Sequence, residues 1–103
     1  MTNLQNILKQ AQKIQSQVSK MQAELGERRI EASAGGGMVT AVVNGRQELV
    51  SLRIDRQVVD PEDVEMLEDL VVAAVTEALA RAGEMANEEM KRLTGGMPIP
   101  GLM

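Results

Sequence analysis

The chain has 103 residues, the size of one domain, and 44% of them are hydrophobic although none is Phe, Trp or Tyr. It contains no cysteine and no histidine, which excludes disulfides, thiolate nucleophiles, the usual zinc ligand sets and histidine acid–base catalysis. The net charge of −4 is unevenly divided: residues 1–56 carry eight Lys/Arg against five Asp/Glu, whereas residues 57–103 carry three against ten, so only the first half suits an anionic partner.

The first predicted element is a helix from about residue 3 to residue 25. Apolar residues recur along it at alternating spacings of three and four, which is the a and d pattern of three heptads. These residues form the apolar seam of the helix: Leu4, Ile7, Ala11, Ile14, Val18, Met21 and Leu25. Gly26 follows the seam and is predicted to end the helix. Because the seam is narrow, we expect it to pack against another helix rather than a deep core.

After this helix the period of the pattern changes to two. Alternating and β-branched-rich segments predict three strands, over residues 28–34, 38–43 and 46–55. In the third strand, strict alternation places Leu52 on one face and Leu49 on the other. Three consecutive strands of this kind predict an antiparallel meander.

Glycines mark both connections between the predicted strands. The run Gly35-Gly36-Gly37 is interpreted as a strand connection, because no G-x-x-x-x-G-K-[ST] pattern follows that would indicate a phosphate loop. Asn44-Gly45 predicts a type I′ hairpin turn, in which both central residues have positive φ.

A second helix is predicted from Asp60-Pro61 onward, with Asp60 as the N-cap and Pro61 at the first helical position. Its pattern continues to Leu93 and stops at Gly95-Gly96. The whole chain is therefore predicted as an α+β fold of order α-β-β-β-α, with one domain over residues 1–94. The Gly/Pro/Met-rich segment 95–103 is expected to be a flexible tail.

The second helix is apolar on most of its faces, more than one small sheet can cover. A core without aromatic residues also buries less area for each side chain, so a second copy would add useful apolar contact. We therefore expect a homodimer. The candidate interface residues on this helix are Val71, Val72, Val75 and Leu79, together with strand residues.

Positive charge lies on one face of the first predicted helix. At about 100° per residue, Lys9, Lys13 and Lys20 fall within roughly 40° of one another, opposite the apolar seam. A solvated helix face also explains this pattern; the functional interpretation is a basic surface directed at a nucleic-acid backbone. Lys91 and Arg92 complement the dipole at the end of the second helix and place further positive charge there.

The other charged residues receive structural interpretations. Arginines on or beside the strands are expected to pair with neighbouring carboxylates: Arg28, Arg29, Arg46, Arg53 and Arg56. The acidic residues between 60 and 69 are interpreted as helix capping and dipole compensation, so no metal site is predicted.

Several classes of function are disfavoured. No constellation of nucleophile, acid and base is present, so neither an enzymatic activity, a cofactor nor a small-molecule substrate is predicted. The absence of aromatic residues argues against single-strand binding, which relies on stacking, and favours duplex DNA held through its phosphates. No segment approaches the roughly 20 apolar residues of a membrane span, and nothing marks export, so a cytoplasmic location and no membrane partner are expected.

Four segments together resemble the YbaB/EbfC family of bacterial nucleoid-associated proteins. They are Gly35-Gly36-Gly37-Met38-Val39-Thr40, Val43-Asn44-Gly45, Leu52-Arg53-Ile54-Asp55, and the block from Val59-Asp60-Pro61-Glu62-Asp63 to Asp69-Leu70. Leu93-Thr94-Gly95-Gly96 extends the resemblance, which covers essentially the whole chain in order.

This resemblance implies a homodimer whose paired helices project from a shared sheet region like the arms of tweezers. It implies binding to duplex DNA, a change in the conformation of that DNA, organisation of the nucleoid and an influence on gene expression. The family's DNA contacts are attributed to charged residues on the projecting helices. The corresponding positions here are Lys9, Lys13, Lys20, Lys91 and Arg92.

One alternative remains open from the residues alone. The heptad helices would also suit a protein-interaction adaptor that clasps a partner protein, and the acidic total charge favours that function. The sequence contains no helix-turn-helix or zinc-finger signature that would indicate which bases are read.

Overall fold

The structure is a computed structural model that describes residues 4–95. Its elements are α1 Leu4–Glu27, β1 Arg29–Ala34, β2 Val39–Asn44, β3 Leu49–Ile54, a 3₁₀ turn Arg56–Val58 and α2 Val64–Thr94. The predicted α+β fold of order α-β-β-β-α is confirmed. The predicted flexible tail lies outside the described residues, apart from Gly95.

The strands form one antiparallel sheet in the order β1-β2-β3, as the predicted meander requires. In β3, Leu52 pairs with Ala41, and an irregularity in the register then brings Leu49 opposite Val43. An extra residue in one strand reverses the alternation of side chains. Leu49 and Leu52 therefore share the face of the sheet on which Ala41 and Val43 lie, and their predicted placement on opposite faces was wrong.

The core lies where α2 crosses β1 and β2. Its buried members are small or β-branched: Ala32, Val39, Ala41, Val43, Val58, Ala74, Ala78 and Ala82. The three alanines of α2 stand four residues apart, so they form a stripe along one face of the helix. Because an alanine side chain is a single methyl group, this face packs closely on the sheet and the core between them is thin.

The β1–β2 connection favours glycine for its backbone conformation and, at Gly35, also for close packing. Gly35, Gly36 and Gly37 have φ values of 64°, 67° and 93°, in the region that L side chains rarely adopt. A Cβ at Gly35 would also lie 2.9 Å from Cδ2 of Leu70 on α2. The run is a strand connection, as predicted, and it allows α2 to pass close beside the end of β1.

The β2–β3 hairpin is present, but its turn is not the predicted type I′ turn. The positive φ, 61°, falls on Gln47, and Gly45 is not among the residues with positive φ. The Asn44 Oδ1 atom accepts hydrogen bonds from the backbone N–H groups of Arg46 at 2.9 Å and Glu48 at 3.1 Å. These bonds organise a longer loop than the two-residue turn that the Asn-Gly pair predicts.

Gly45 instead provides the contact point for the base of α1. Its N–H donates a hydrogen bond to the carbonyl oxygen of Leu25 at 2.8 Å. A Cβ at Gly45 would lie 2.7 Å from that same oxygen, closer than real Cβ atoms approach. The missing side chain therefore allows α1 to end directly against the hairpin, which fixes the point from which α1 departs.

The start of α2 differs from the prediction by several residues. Asp63, and not Asp60, is the N-cap, and its carboxylate accepts the N–H of Met66 at 3.2 Å. Asp60 accepts the N–H of Glu62 at 2.9 Å within a turn that precedes the helix, so Pro61 is also outside it. Both aspartates satisfy nearby N–H groups, and the helix begins after the second of them.

The glycines that follow the two helices behave differently. α1 continues through Gly26 to Glu27, so the predicted stop at Gly26 was wrong. Gly95 is left-handed, with φ 67° and ψ 24°, and its N–H bonds to the carbonyl oxygens of Lys91 and Arg92. The predicted end of α2 is therefore confirmed.

Alanine at Gly45 should destabilise the protein, whereas alanine at Gly26 should not. The Gly45→Ala methyl group meets the rigid carbonyl of Leu25, and overpacking of this kind costs about 1–3 kcal/mol. The Gly26→Ala methyl group meets only the flexible Arg46 side chain, with its Cδ at 3.3 Å, and gains helix propensity of up to about 1 kcal/mol. Urea unfolding at one protein concentration measures both variants. Equal stabilities would contradict the close contact at Gly45.

Candidate nucleic-acid interface

α1 is attached to the rest of the molecule through its carboxyl-terminal turns. Met21 and Leu25 are buried and Val18 is half-buried, whereas every residue from Leu4 to Gln17 is exposed. The described part of the chain measures 74 × 22 × 17 Å, much longer than it is wide. Residues 4–17 therefore form a projecting segment, which we call the arm.

The predicted basic surface lies on α1, partly on the arm. Lys9, Lys13 and Lys20, which we call the lysine face, are all exposed. Among residues 4–95, none of the three has a carboxylate oxygen within 4.0 Å of its ammonium group. Lys9 and Lys13 stand on the arm, and Lys20 lies nearer the junction with α2. The lysine face thus presents positive charge that no salt bridge in this part of the chain neutralises.

The junction between α1 and α2 mixes both signs of charge. Lys20 and Arg92 line one cleft together with Glu24 and Glu89. Glu89 is the better shielded partner, with 22% of its side chain exposed against 74% for Arg92, and their salt bridge measures 3.2 Å. The structure therefore brings Lys20 and Arg92 together, but next to carboxylates. Of the predicted contact residues on α2, only Lys91 has no carboxylate within 4.0 Å in the described chain.

Arg28 contributes to this junction in a way that the sequence did not indicate. It was expected to pair along the strands, but its Nη2 lies 3.5 Å from Oε1 of Glu89 on α2. Its Nη1 also donates to the Met85 sulfur at 3.3 Å. Glu89 is therefore shared by two arginines, Arg28 and Arg92. One negative charge faces two positive charges, so this group of three side chains has a net positive charge. Because these contacts join residues some 57–61 positions apart, no local pattern predicts them.

The other strand arginines give a mixed result. Arg46 lies 3.8 Å from Glu48, a pair within the hairpin loop rather than across two strands. Arg53 and Arg56 form no salt bridge within residues 4–95, so the expected pairing of these two is not found there. The Arg46–Glu48 contact is exposed and contributes at most about 1 kcal/mol.

A group of six acidic residues lies around the other end of α2, between residues 60 and 69. Asp60 and Asp63 accept backbone N–H groups at the start of this helix, in agreement with the capping interpretation. α2 has 31 residues, and at about 1.5 Å per residue its start lies roughly 45 Å from the junction with α1. The acidic group at the start of α2 is therefore well separated from the junction. Within residues 4–95 no three acidic side chains gather in a group suited to a metal ion.

None of the helices in the described chain is both long and apolar enough to cross a membrane.

The four candidate dimer residues on α2 do not share one environment. Val71, Val75 and Leu79 are half-buried and pack against the core of their own chain. Val72 differs, because 64% of it is exposed. β3 is also poorly covered: 53% of Leu49 and 38% of Leu52 are exposed, on the face where α2 covers the neighbouring strands. Val72 is thus the one candidate residue of the four that is exposed, and β3 adds exposed apolar surface.

The fold and the lysine face together define a small helix–sheet–helix protein with a projecting cationic arm. A solved structure of an uncharacterized protein from Helicobacter pylori has this same fold. The two structures superpose with a TM-score of 0.84, covering 92% of this chain and 100% of that one, at 21% sequence identity. The chain belongs to the YbaB/EbfC DNA-binding family, whose model matches residues 1–97.

Relatives with the name nucleoid-associated protein extend this assignment. The one from Thermoanaerobacter pseudethanolicus is 58% identical over 100 residues, covering 97% of this chain and 90% of the relative. The one from Syntrophobacter fumaroxidans is 56% identical over 97 residues, covering 94% and 88%. The one from Moorella thermoacetica is 56% identical over 101 residues, covering 98% and 97%. The resemblance drawn from the sequence motifs is thus confirmed.

The two ends of the apolar seam should respond differently to truncation. Leu25→Ala removes a side chain that is 2% exposed at the base of α1, and such changes cost about 2–5 kcal/mol. Ile14→Ala removes one that is 52% exposed, and surface changes of this kind stay within about 0.5 kcal/mol. Urea unfolding at low protein concentration gives both values. A comparable loss in the two variants would mean that the arm is not free.

Proposed function

We propose that this protein binds duplex DNA as a homodimer, changes the conformation of that DNA, and thereby helps to organise the nucleoid and to modulate gene expression. It does so without catalysis, in the bacterial cytoplasm. The observation that carries the proposal is the lysine face, which is exposed, forms no salt bridge within residues 4–95, and extends from the junction onto the projecting arm. Membership of a DNA-binding family supports the choice of ligand.

The chemistry of the lysine face fits phosphate better than bases. Lysine ammonium groups act as point charges towards phosphate and release counterions when they bind. Because the three lysines form no salt bridge within the described chain, they can bind DNA without first breaking an intramolecular ion pair. Asn6, Gln12 and Ser16 supply further hydrogen-bonding groups on the arm.

The apolar surface that one chain leaves uncovered supports a homodimer. α2 packs on β1 and β2, and it leaves Leu49, Leu52 and Val72 in contact with water. A second copy placed on these residues would bury that apolar area, and burial stabilises the dimer by about 25 cal/mol for each Å² removed from water. It would also give the assembly two arms and two lysine faces.

Two lysine faces held by one rigid body would also explain a change in DNA conformation. A duplex that follows both faces must adopt the geometry that the dimer sets. Smooth bending of a site of 20–30 base pairs by 40–90° costs of order 1–6 kcal/mol. The extra phosphate contacts that the bend allows would offset this cost.

Removal of the three lysine charges should weaken DNA binding and reduce its salt dependence. A triple variant in which Lys9, Lys13 and Lys20 are changed to Gln should show a shallower dependence of log K on log salt. We expect the negative slope to lose about 0.9 in magnitude for each phosphate that the variant no longer neutralises. Anisotropy of a labelled duplex of about 30 base pairs, measured at several salt concentrations, gives the slope. Changing the same lysines to Glu should abolish binding while the dimer remains.

A matched variant tests whether position or total charge matters. Arg56→Glu with Gln57→Glu changes the net charge by −3, as the triple Gln variant does, but on the 3₁₀ turn after β3. It should bind DNA almost as the parent protein does. If the triple Gln variant keeps the parent affinity and slope, the lysine face is not the DNA contact.

Val72→Gln should weaken the dimer. The change places a polar side chain where 64% of the valine surface is exposed, so the fold of each chain should persist. Sedimentation equilibrium should show a lower dimer fraction than in the parent at equal concentration, with unchanged helical circular dichroism. Ile14→Gln, 52% exposed on the arm, is the control and should leave the dimer intact. If only the Ile14→Gln control lowers the dimer fraction, the dimer interface lies on the arm and not at Val72.

A further inference from the structure

The apolar seam of α1 is covered at its base and uncovered on the arm. Met21 and Leu25 are buried, but Leu4, Ile7 and Ile14 are 63%, 58% and 52% exposed. Leu8, beside them, is 55% exposed and widens the strip. We call Leu4, Ile7, Ala11 and Ile14 the bare seam. It continues, in the same heptad register, the face that packs within the molecule at its base.

The residues beside the bare seam carry no charge. With Leu4 at position a, the e and g positions of this stretch are Leu8, Gln10, Gln15 and Gln17. In helix pairs these positions decide which partners are repelled. Charged residues at the e and g positions would favour a partner whose e and g positions carry the opposite charge. If these positions carried a single sign of charge, they would repel the same positions in a second copy. Uncharged flanks instead remove the repulsion between two identical seams, and Ala11 at the centre lets the helices approach closely.

We propose that the bare seam is a second self-association surface, which pairs with the bare seam of another copy in a neighbouring dimer. The proposal rests on the dimer of the proposed function, in which the first surface is formed by β3 and Val72. A protein with two different self-complementary surfaces is not limited to a closed pair. Dimers joined through their arms form larger assemblies.

The pairing leaves the lysine face free to bind DNA. Lys9 stands at position f of the heptad, and Lys13 and Lys20 stand at position c, so all three point away from the a and d positions. A seam of about two heptads is short and binds weakly by itself. It becomes effective when DNA holds many dimers close together, because neighbouring sites then raise the local concentration. Arm pairing would thus connect dimers bound to the same duplex or to two duplexes.

Single cysteines test the pairing, because the chain has none of its own. Ala11→Cys places a thiol at the centre of the bare seam with little change in size. Ser16→Cys, at position f on the same exposed arm, is the matched control. After mild oxidation of the full protein, we expect Ala11→Cys to form disulfide-linked chains at least about tenfold faster than the control, since pairing concentrates the two thiols.

Light scattering of the oxidised protein then separates the outcomes. Four or more chains in one particle, against two when reduced, would support pairing between dimers. Two linked chains in a particle that holds two chains both before and after oxidation would overturn it, because the arms of one dimer would then meet each other. Equal rates for the two cysteines would also overturn it. One chain when reduced and two when oxidised would uphold seam pairing while removing the dimer of the proposed function.

A variant of the seam itself provides a second measurement. Ile7→Gln with Ile14→Gln, added to Ala11→Cys, changes only residues that are more than half exposed. We expect disulfide formation to fall to the rate of the Ser16→Cys control while the reduced protein keeps its dimer mass. If the fast rate persists, apolar contact does not cause the pairing and the proposal fails.

Discussion

The contact between Leu25 and Gly45 determines where the arm of this protein points. The carbonyl oxygen of Leu25 accepts the Gly45 N–H at 2.8 Å, at a position where no side chain fits. The buried side chain of Leu25 adds an apolar contact at the same point of the chain. α1 therefore leaves the hairpin in one direction, and both the lysine face and the bare seam take their positions from it. A helix attached only by a flexible loop would present neither surface in a fixed geometry.

A second constraint is the small size of the core. The fully buried residues of α2 are alanines, so this helix packs closely on β1 and β2. Short side chains do not reach across the sheet, and β3 is left poorly covered. Larger residues at these positions would cover more of the sheet, but they would also lift the helix away from it. The exposed Leu49, Leu52 and Val72 are consequences of this choice. The apolar surface that supports a dimer thus arises from the way the single chain packs.

Periodicity predicted the order and type of both α-helices and all three strands, because alternation and heptad spacing reflect which face each element buries. Local turn chemistry was less informative. Asn44-Gly45 matched a two-residue turn, yet the Asn44 side chain bonds two N–H groups of a longer loop and Gly45 serves a contact with Leu25. Asp60 and Asp63 both suit an N-cap, and only the fold selects between them. The Arg28–Glu89 contact depends on where two distant segments meet, which no spacing encodes.

The heptad geometry of α1 reconciles DNA binding with an acidic protein. Residues at c and f lie opposite those at a and d, so one short helix carries positive charge on one side and apolar surface on the other. The acidic start of α2 lies at the far end of that helix from the junction, beyond the Debye length of about 8 Å at physiological salt. Its repulsion of phosphate is therefore screened at the arm. Net charge describes the whole chain, whereas a polyanion responds to the few side chains within its screening distance, and on the arm those are Lys9 and Lys13.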